Sequence, residues 1–130
     1  MNSYVADTMA VVLRLEKRRM PKKTKNIFNE AENGHASVMI PSIVFAELAY
    51  LSEKTRIDTT LKSAKQFVDK YSNIHALPMT IFTVLNAFEI DDIPELHDRL
   101  IAASAREHNS KILTNDPIIQ QSDFVNCIWK

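Results

Sequence analysis

Short apolar runs alternate along the chain with longer stretches in which apolar residues recur at helical spacing, and that alternation predicts a mixed α/β chain. Ser3 to Ala6 reads as a strand. Asp7 and Thr8 follow it, and Met9, Val12, Leu13 and Leu15 then fall near helical spacing, so a helix starts there with Asp7 or Thr8 as its cap. The Arg-Arg-Met-Pro-Lys-Lys segment ends that helix. A second helix is expected from Thr24 to Asn33, closed by Gly34, the only glycine, in a left-handed cap.

Ser37 to Ile40 reads as a buried strand stopped at Pro41, and Ser42 to Lys54 as a helix that contains Glu47 among Ile43, Ala46, Leu48, Ala49 and Leu51. Thr59 to Ser72 is more clearly amphipathic, with Leu61, Ala64, Phe67, Val68 and Tyr71 on one stripe. Ile74 to Leu77 is a weaker strand, followed by a helix from about Thr80 to Phe88 and an acidic loop in which Pro94 suits a helix start. The next helix runs from Glu95 to His108, with Asn109 as a left-handed cap. Strands at Lys111 to Thr114 and Val125 to Trp129 complete the chain.

Strands alternating with helices imply a parallel sheet of about five strands covered on both faces. In such sheets functional groups gather beyond the C-terminal strand ends, near a switch in strand order. Asp7 and Asp116 follow strands directly and are predicted at that edge. No internal repeat, low-complexity tract or linker is present, and 130 residues make one domain, 1–130, the simplest expectation.

Composition narrows the classes. With 45% hydrophobic and 25% charged residues, the chain is an ordinary globular one without a disorder signature. Cys127 is the only cysteine, so neither an intramolecular disulfide nor a multi-cysteine zinc site is available, which fits a reducing cytoplasm. Asp7 interrupts the N-terminal apolar run, against a secretory signal, and no stretch is long enough for a membrane span.

A formal net charge of zero argues against nucleic-acid binding through overall charge, although the distribution is uneven. Seven basic residues lie between Arg14 and Lys25 against the single acid Glu16, while Glu89 to Asp98 holds five acids and no Lys or Arg. The basic block suits an RNA backbone, a protein partner or plain solvation. Its helix runs away from the strand-end edge, which separates it from the acids of the edge.

Four of those acids, Asp7, Glu47, Asp98 and Asp116, occupy positions that normally reject charge. Each has an ordinary structural reading: Asp7 as a helix cap, Asp116 before Pro117 as a turn or cap, Glu47 as a helix-edge residue facing solvent, Asp98 paired with Arg99. Taken together they fit one cleft, where converging carboxylates need a cation to offset repulsion and lost hydration. The expectation is a divalent metal site with the four acids within metal-bridging distance. His97, Asp91, Asp92 and Glu95 read as surface or loop residues, and Trp129, Phe67, Phe82 and Phe88 as core or interface.

The segments Tyr-Val-Ala-Asp7-Thr8, Ile-Val-Phe-Ala-Glu47-Leu, His-Asp98-Arg-Leu-Ile-Ala-Ala-Ser-Ala and Ile-Leu-Thr114-Asn-Asp116, in that order, resemble the PIN-domain nucleases. Among these the chain is most similar to VapC-type toxin ribonucleases. The resemblance spans nearly the whole chain, with Ile93 to Asp116 its most specific part. It implies a three-layer α/β/α fold and an acidic cluster of Asp7, Glu47, Asp98 and Asp116 that binds Mg²⁺ or Mn²⁺ and cleaves RNA. Thr8 and Thr114 match hydroxyl positions that orient a ligand carboxylate or water.

The resemblance further implies a cognate antitoxin that wraps over the helices, homodimers, and no membrane. Two departures stand out: Met9, where many relatives carry a small polar residue, and Asn109 in place of a common glycine. Neither removes a proposed ligand. A stand-alone RNA-processing nuclease and a non-catalytic PIN-like interaction module remain the alternatives. An aspartyl-phosphate phosphatase would need a second Asp two residues after the first, where Met9 stands.

Overall fold

The computed structural model describes residues 1–130. Five strands, β1 (Ser3–Ala6), β2 (Ser37–Pro41), β3 (Ile74–Leu77), β4 (Lys111–Leu113) and β5 (Cys127–Ile128), form one sheet in the order β3-β2-β1-β4-β5. All four pairings are parallel. Between the strands run α1 (Thr8–Leu15), α2 (Lys22–Glu32), α3 (Ser42–Glu53), α4 (Leu61–Lys70), α5 (Ile81–Ala87), α6 (Leu96–Glu107) and α7 (Pro117–Gln120).

The chain winds outward from β1 to β2 and β3, then crosses back to add β4 and β5 on the other side of β1. Right-handed crossovers in these two opposite directions place helices on both faces of the sheet, the expected α/β/α layering. Central strands must then be apolar on both sides. Val5, Ala6, Val38, Ile40, Ile112 and Leu113 are accordingly fully buried. The switch in strand order falls between β1 and β4, whose registers pair Val5 with Ile112 and Ala6 with Leu113.

One helix is sunk deeper than the others. Leu100 through Ala105, six consecutive residues of α6, are all buried, which requires neighbours around the whole circumference of that turn and a half. α6 touches β1 and β4 as well as α3 and α5. Alanines at 102, 103 and 105 permit that close approach, and Ser104 satisfies its hydroxyl by donating to the Leu100 carbonyl at 3.1 Å.

Most boundaries lie within a residue or two of the sequence expectation. Gly34 and Asn109 take the left-handed conformation expected of them, with φ of 84° and 49°. Two features differ. Pro94 lies one residue before the cap of α6 rather than inside its first turn, because the Glu95 side chain accepts from the Asp98 N–H and caps the helix. The short helix α7 was not expected; the signal for it is Asp116 followed by Pro117, a capping side chain before proline at the first helical position. No helix is long and apolar enough to cross a membrane.

Candidate metal centre

Asp7 is placed by two local bonds. Its N–H donates to the Leu113 carbonyl at 3.2 Å, extending the β1–β4 pairing by one residue, and its Oδ1 accepts from the Ala10 N–H at 2.9 Å. The aspartate therefore follows β1 directly and caps α1, as its sequence position suggested. It is also 7% exposed. Burial pushes its carboxyl up to about 6, the Thr114 hydroxyl and Ala10 N–H work the other way, and the charges of Asp116 and Glu47 add to the rise.

Asp116 reaches the same edge from β4 across the switch in strand order. Its Oδ1 accepts from the Ile118 and Ile119 N–H groups at 2.8 and 3.2 Å, capping α7, while its own N–H donates to Thr114 Oγ1 at 3.0 Å. Thr114 is fully buried and thus links the two strand-end acids, accepting from one and stabilising the ionised form of the other.

Glu47 and Asp98 come from helices. α3 touches both α1 and α6, so a residue midway along it can face the start of each. Thr8 Oγ1 donates to Glu47 Oε1 at 2.8 Å, which is how Glu47 is turned toward the strand ends rather than toward open solvent. Burial raises the Glu47 carboxyl and Thr8 opposes that rise. Asp98 lies in the first turn of α6, where the helix N-terminus favours negative charge. Burial nevertheless pushes it up to about 7, reinforced by the charges of Glu95, Asp116, Glu47 and Asp7.

All four acids thus share one electrostatic field, and none makes an ion pair with Lys, Arg or His. The pairing of Asp98 with Arg99 does not form: Arg99 Nε donates to the Ile93 carbonyl at 2.8 Å and its guanidinium covers the Phe88 ring. The expected metal-bridging distance is not reached either, since no three acidic, histidine or cysteine side chains form a group that could hold an ion directly. Asp7 and Asp116 are each turned back onto their own helix N-termini, and Glu47 is held by Thr8.

The donor set nonetheless fits a hard divalent cation: several carboxylates, two of them pushed upward by burial, with no Lys or Arg paired to any of them and only the His97 ring acting as a nearby cation. A bound cation would supply the missing compensation.

Three residues were undervalued in the sequence. Glu95 is an anchored member of the acidic field: Oε2 accepts from the Asp98 N–H at 2.7 Å and Oε1 meets His97 Nδ1 at 2.6 Å. Its position three residues before Asp98 is the spacing of a capping side chain, the signal available from sequence. His97 is held by that contact and its pKa is raised by it, with the charges of Glu47, Glu95 and Asp98 acting in the same direction. The Cys127 thiol, on the edge strand, is pushed up to about 11 by burial together with Asp7 and Asp116, which places it near the cluster as well. Asp92 is instead a tether, accepting from Ser122 Oγ and the Asp123 N–H at 2.7 and 2.8 Å, and Asp91 is exposed.

The basic block lies at the other end of α1. Arg14 is taken up by Glu32 and Asn29, at 2.9 and 2.8 Å, and stacks over Phe28. Together with Lys17, Arg18, Arg19 and Lys25 it lines a groove whose apolar wall includes Met20, Phe67 and Tyr71.

Residues 4–125 match the family model described as PIN domain. No curated protein matches the chain. Among solved structures, a chain of the VapBC2 complex from Rickettsia felis bound to a DNA fragment from their promoter aligns with a TM-score of 0.73 at 22% identity, covering 98% of this chain and 99% of that one. A chain of DNA-bound VapBC from Salmonella typhimurium gives 0.70 at 18% identity with 98% of both chains covered. A chain of a toxin-antitoxin complex from Klebsiella pneumoniae gives 0.64 at 14% identity and 94% of both. At these identities the likeness is one of fold.

Proposed function

The chain belongs to the PIN-domain family, and from that premise we propose that it is a metal-dependent endoribonuclease, the VapC-type toxin of a type II toxin-antitoxin pair. One observation supports the reading: the charges of Asp7, Glu47 and Asp116 all act on Asp98, and none of the four acids is ion-paired with Lys or Arg. Helix capping accounts for Asp7 and Asp116 singly, but not for the mutual repulsion of four carboxylates without a Lys or Arg partner. The neighbouring toxin-antitoxin complexes support the toxin assignment through shared fold.

In this reading Asp7, Glu47, Asp98 and Asp116 hold Mg²⁺ or Mn²⁺. When bound, the ion activates water for in-line attack on an RNA phosphodiester and offsets the charge that develops on the phosphate. The protein's part is positional. Thr8 orients Glu47, Thr114 orients Asp7 and Asp116 together, and Glu95 fixes the first turn of α6 beneath Asp98. The protein partner is an antitoxin, the working assembly is a homodimer, and the compartment is the cytoplasm.

Cleavage of a mixed RNA pool tests the activity. The expected result is fragmentation with Mg²⁺ or Mn²⁺, none with chelator, and loss of at least about a hundredfold in rate for folded Asp7→Asn and Asp98→Asn. Undiminished cleavage by both variants would contradict the mechanism. Co-purification with a short DNA-binding protein encoded beside this chain would separate a toxin from a stand-alone processing nuclease.

A further inference from the structure

The groove at the far end of α1 is short of negative charge, as the acid cluster is short of positive. Six cations line it against one acid, Glu32. Glu32 pairs with Arg14 at 2.8 Å and Arg18 lies 3.7 Å from Glu16, whereas Lys17, Arg19, Lys25 and Lys70 enter no ion pair. These four come from three places in the fold: the turn after α1, the start of α2 and the end of α4.

Helix stability does not account for them. Lys17 is left-handed, with φ of 54°, in the turn that closes α1: its N–H donates to the Arg14 carbonyl at 3.2 Å, and the Arg18 N–H to that of Leu13 at 2.9 Å. Glycine takes that conformation freely, while a lysine bears a steric cost of about 1 kcal/mol or more. Lys25 follows Lys22 and Lys23 in the first turn of α2, which holds no acid, and there the helix dipole opposes positive charge. Only Lys70, in the last turn of α4, stands where a helix favours a cation. Positive charge is thus kept in the groove against local stability, and an anionic ligand offsets it.

The walls distinguish between anions. Leu13 and Phe67 are 9% and 8% exposed, so they form a floor rather than pockets for apolar anchors. Tyr71 is half-buried, edge-on to Phe67, with Lys70 Nζ 5.2 Å from its ring centre. An acidic peptide draws its affinity from buried apolar anchors, which this floor does not take. A single nucleic-acid strand draws it from distributed cations and an aromatic ring beside them. Because the formal net charge is zero, the attraction must come from a local patch rather than from the whole chain.

We infer that this groove is a second RNA-contact site, which holds the backbone of a single-stranded segment of the substrate away from the phosphodiester that is cut. The eight residues of α1 separate it from Asp7 by about 12 Å, a span of a few nucleotides. The inference rests on the proposed nuclease function for its choice of RNA as the anion, and it does not depend on the cleavage chemistry.

Fluorescence anisotropy of a labelled, unstructured RNA of about 20 nucleotides, in chelator so that nothing is cut, tests the groove on the full chain. Wild type should bind, its log affinity falling against log salt with a slope of about 0.7 for each phosphate contacted. Lys25→Glu combined with Lys70→Glu should weaken binding at least about tenfold and make that slope shallower by about 1.4, and the two arginine replacements should restore both. Lys25→Glu alone should melt above wild type while binding RNA less tightly, an opposition that a structural lysine would not produce. Circular dichroism checks folding, and Lys25→Gln with Lys70→Gln carries the same test if the glutamates disturb it. A wild type that does not bind, or folded groove variants that bind as wild type does, would overturn the inference. So would a polyglutamate peptide of equal charge that binds as tightly as the RNA, since the groove would then belong to an acidic protein segment. Folded Asp98→Asn should bind as wild type does in chelator, so cleavage that fails while groove-dependent binding persists removes only the nuclease reading.

Discussion

The hydroxyl of Thr8, the first residue of α1, donates to Oε1 of Glu47, midway along α3, at 2.8 Å. This bond joins the element that begins at one strand-end acid to the helix that carries another. It also favours the ionised form of a carboxylate whose burial opposes ionisation.

Thr8→Val keeps the shape and removes the donor. Glu47 should then swing free, and affinity for Mn²⁺ and the rate of RNA cleavage should each fall about 10- to 100-fold, the usual effect of removing support behind a metal ligand. Stability should change by only about 1 kcal/mol. Calorimetric titration and a thermal melt check both parts, and an unaltered metal affinity would leave Thr8 without its assigned role.

The pH dependence of metal-free stability follows from Asp7 and Asp98, both raised in the fold, to about 6 and about 7. A group raised above its unfolded value gives stability that is fully present below the unfolded value near 4 and is lost as pH climbs through the folded one. The metal-free protein should therefore lose stability between about pH 4 and pH 7, on the order of 2 to 3 kcal/mol from Asp7 and a smaller share from the half-buried Asp98 after solvent screening. Asp7→Asn should melt higher than wild type at pH 8 and match it near pH 4. Thermal melts in chelator across that range test the sign; a wild type that grows more stable toward pH 8 would contradict it.

The buried turns of α6 set where Asp98 stands. Ala103 is completely buried, so Ala103→Leu should overpack the helix against its neighbours at a cost of about 1 to 3 kcal/mol. Because Asp98 lies little more than one turn away on the same helix, metal affinity should fall too, although Ala103 belongs to no site. Lys111→Ala, exposed on the edge of β4, should leave both quantities nearly unchanged and serves as the comparison in the same denaturation and titration series.

Local chemistry made half of the site legible in the sequence. Asp7 and Asp116 could be placed because a strand end and a helix cap are read from a few adjacent residues. Glu47 and Asp98 could not be placed in this way, since what turns them inward is contact of α3 with α1 and α6, and Glu47 alone is equally compatible with a solvent-facing helix edge. Metal-bridging distance was expected from charge and resemblance. No three acidic, histidine or cysteine side chains form a group that could hold an ion directly, and nothing in the spacing of the acids signals that. The helix over α5 was legible from its pattern, but the side it presents to α6 was not: pattern alone assigns Phe82 and Phe88 to core or interface, and the fold leaves both exposed.

Direct measurement of Mn²⁺ binding, by calorimetry or by the electron paramagnetic resonance of the free ion, tests the four-acid centre without requiring its RNA. Wild type should bind the ion, and folded Asp7→Asn, Glu47→Gln, Asp98→Asn and Asp116→Asn should each weaken binding at least about tenfold, as expected when a carboxylate ligand is lost. Equal binding by wild type and all four variants, or none by wild type with RNA present, would contradict the account.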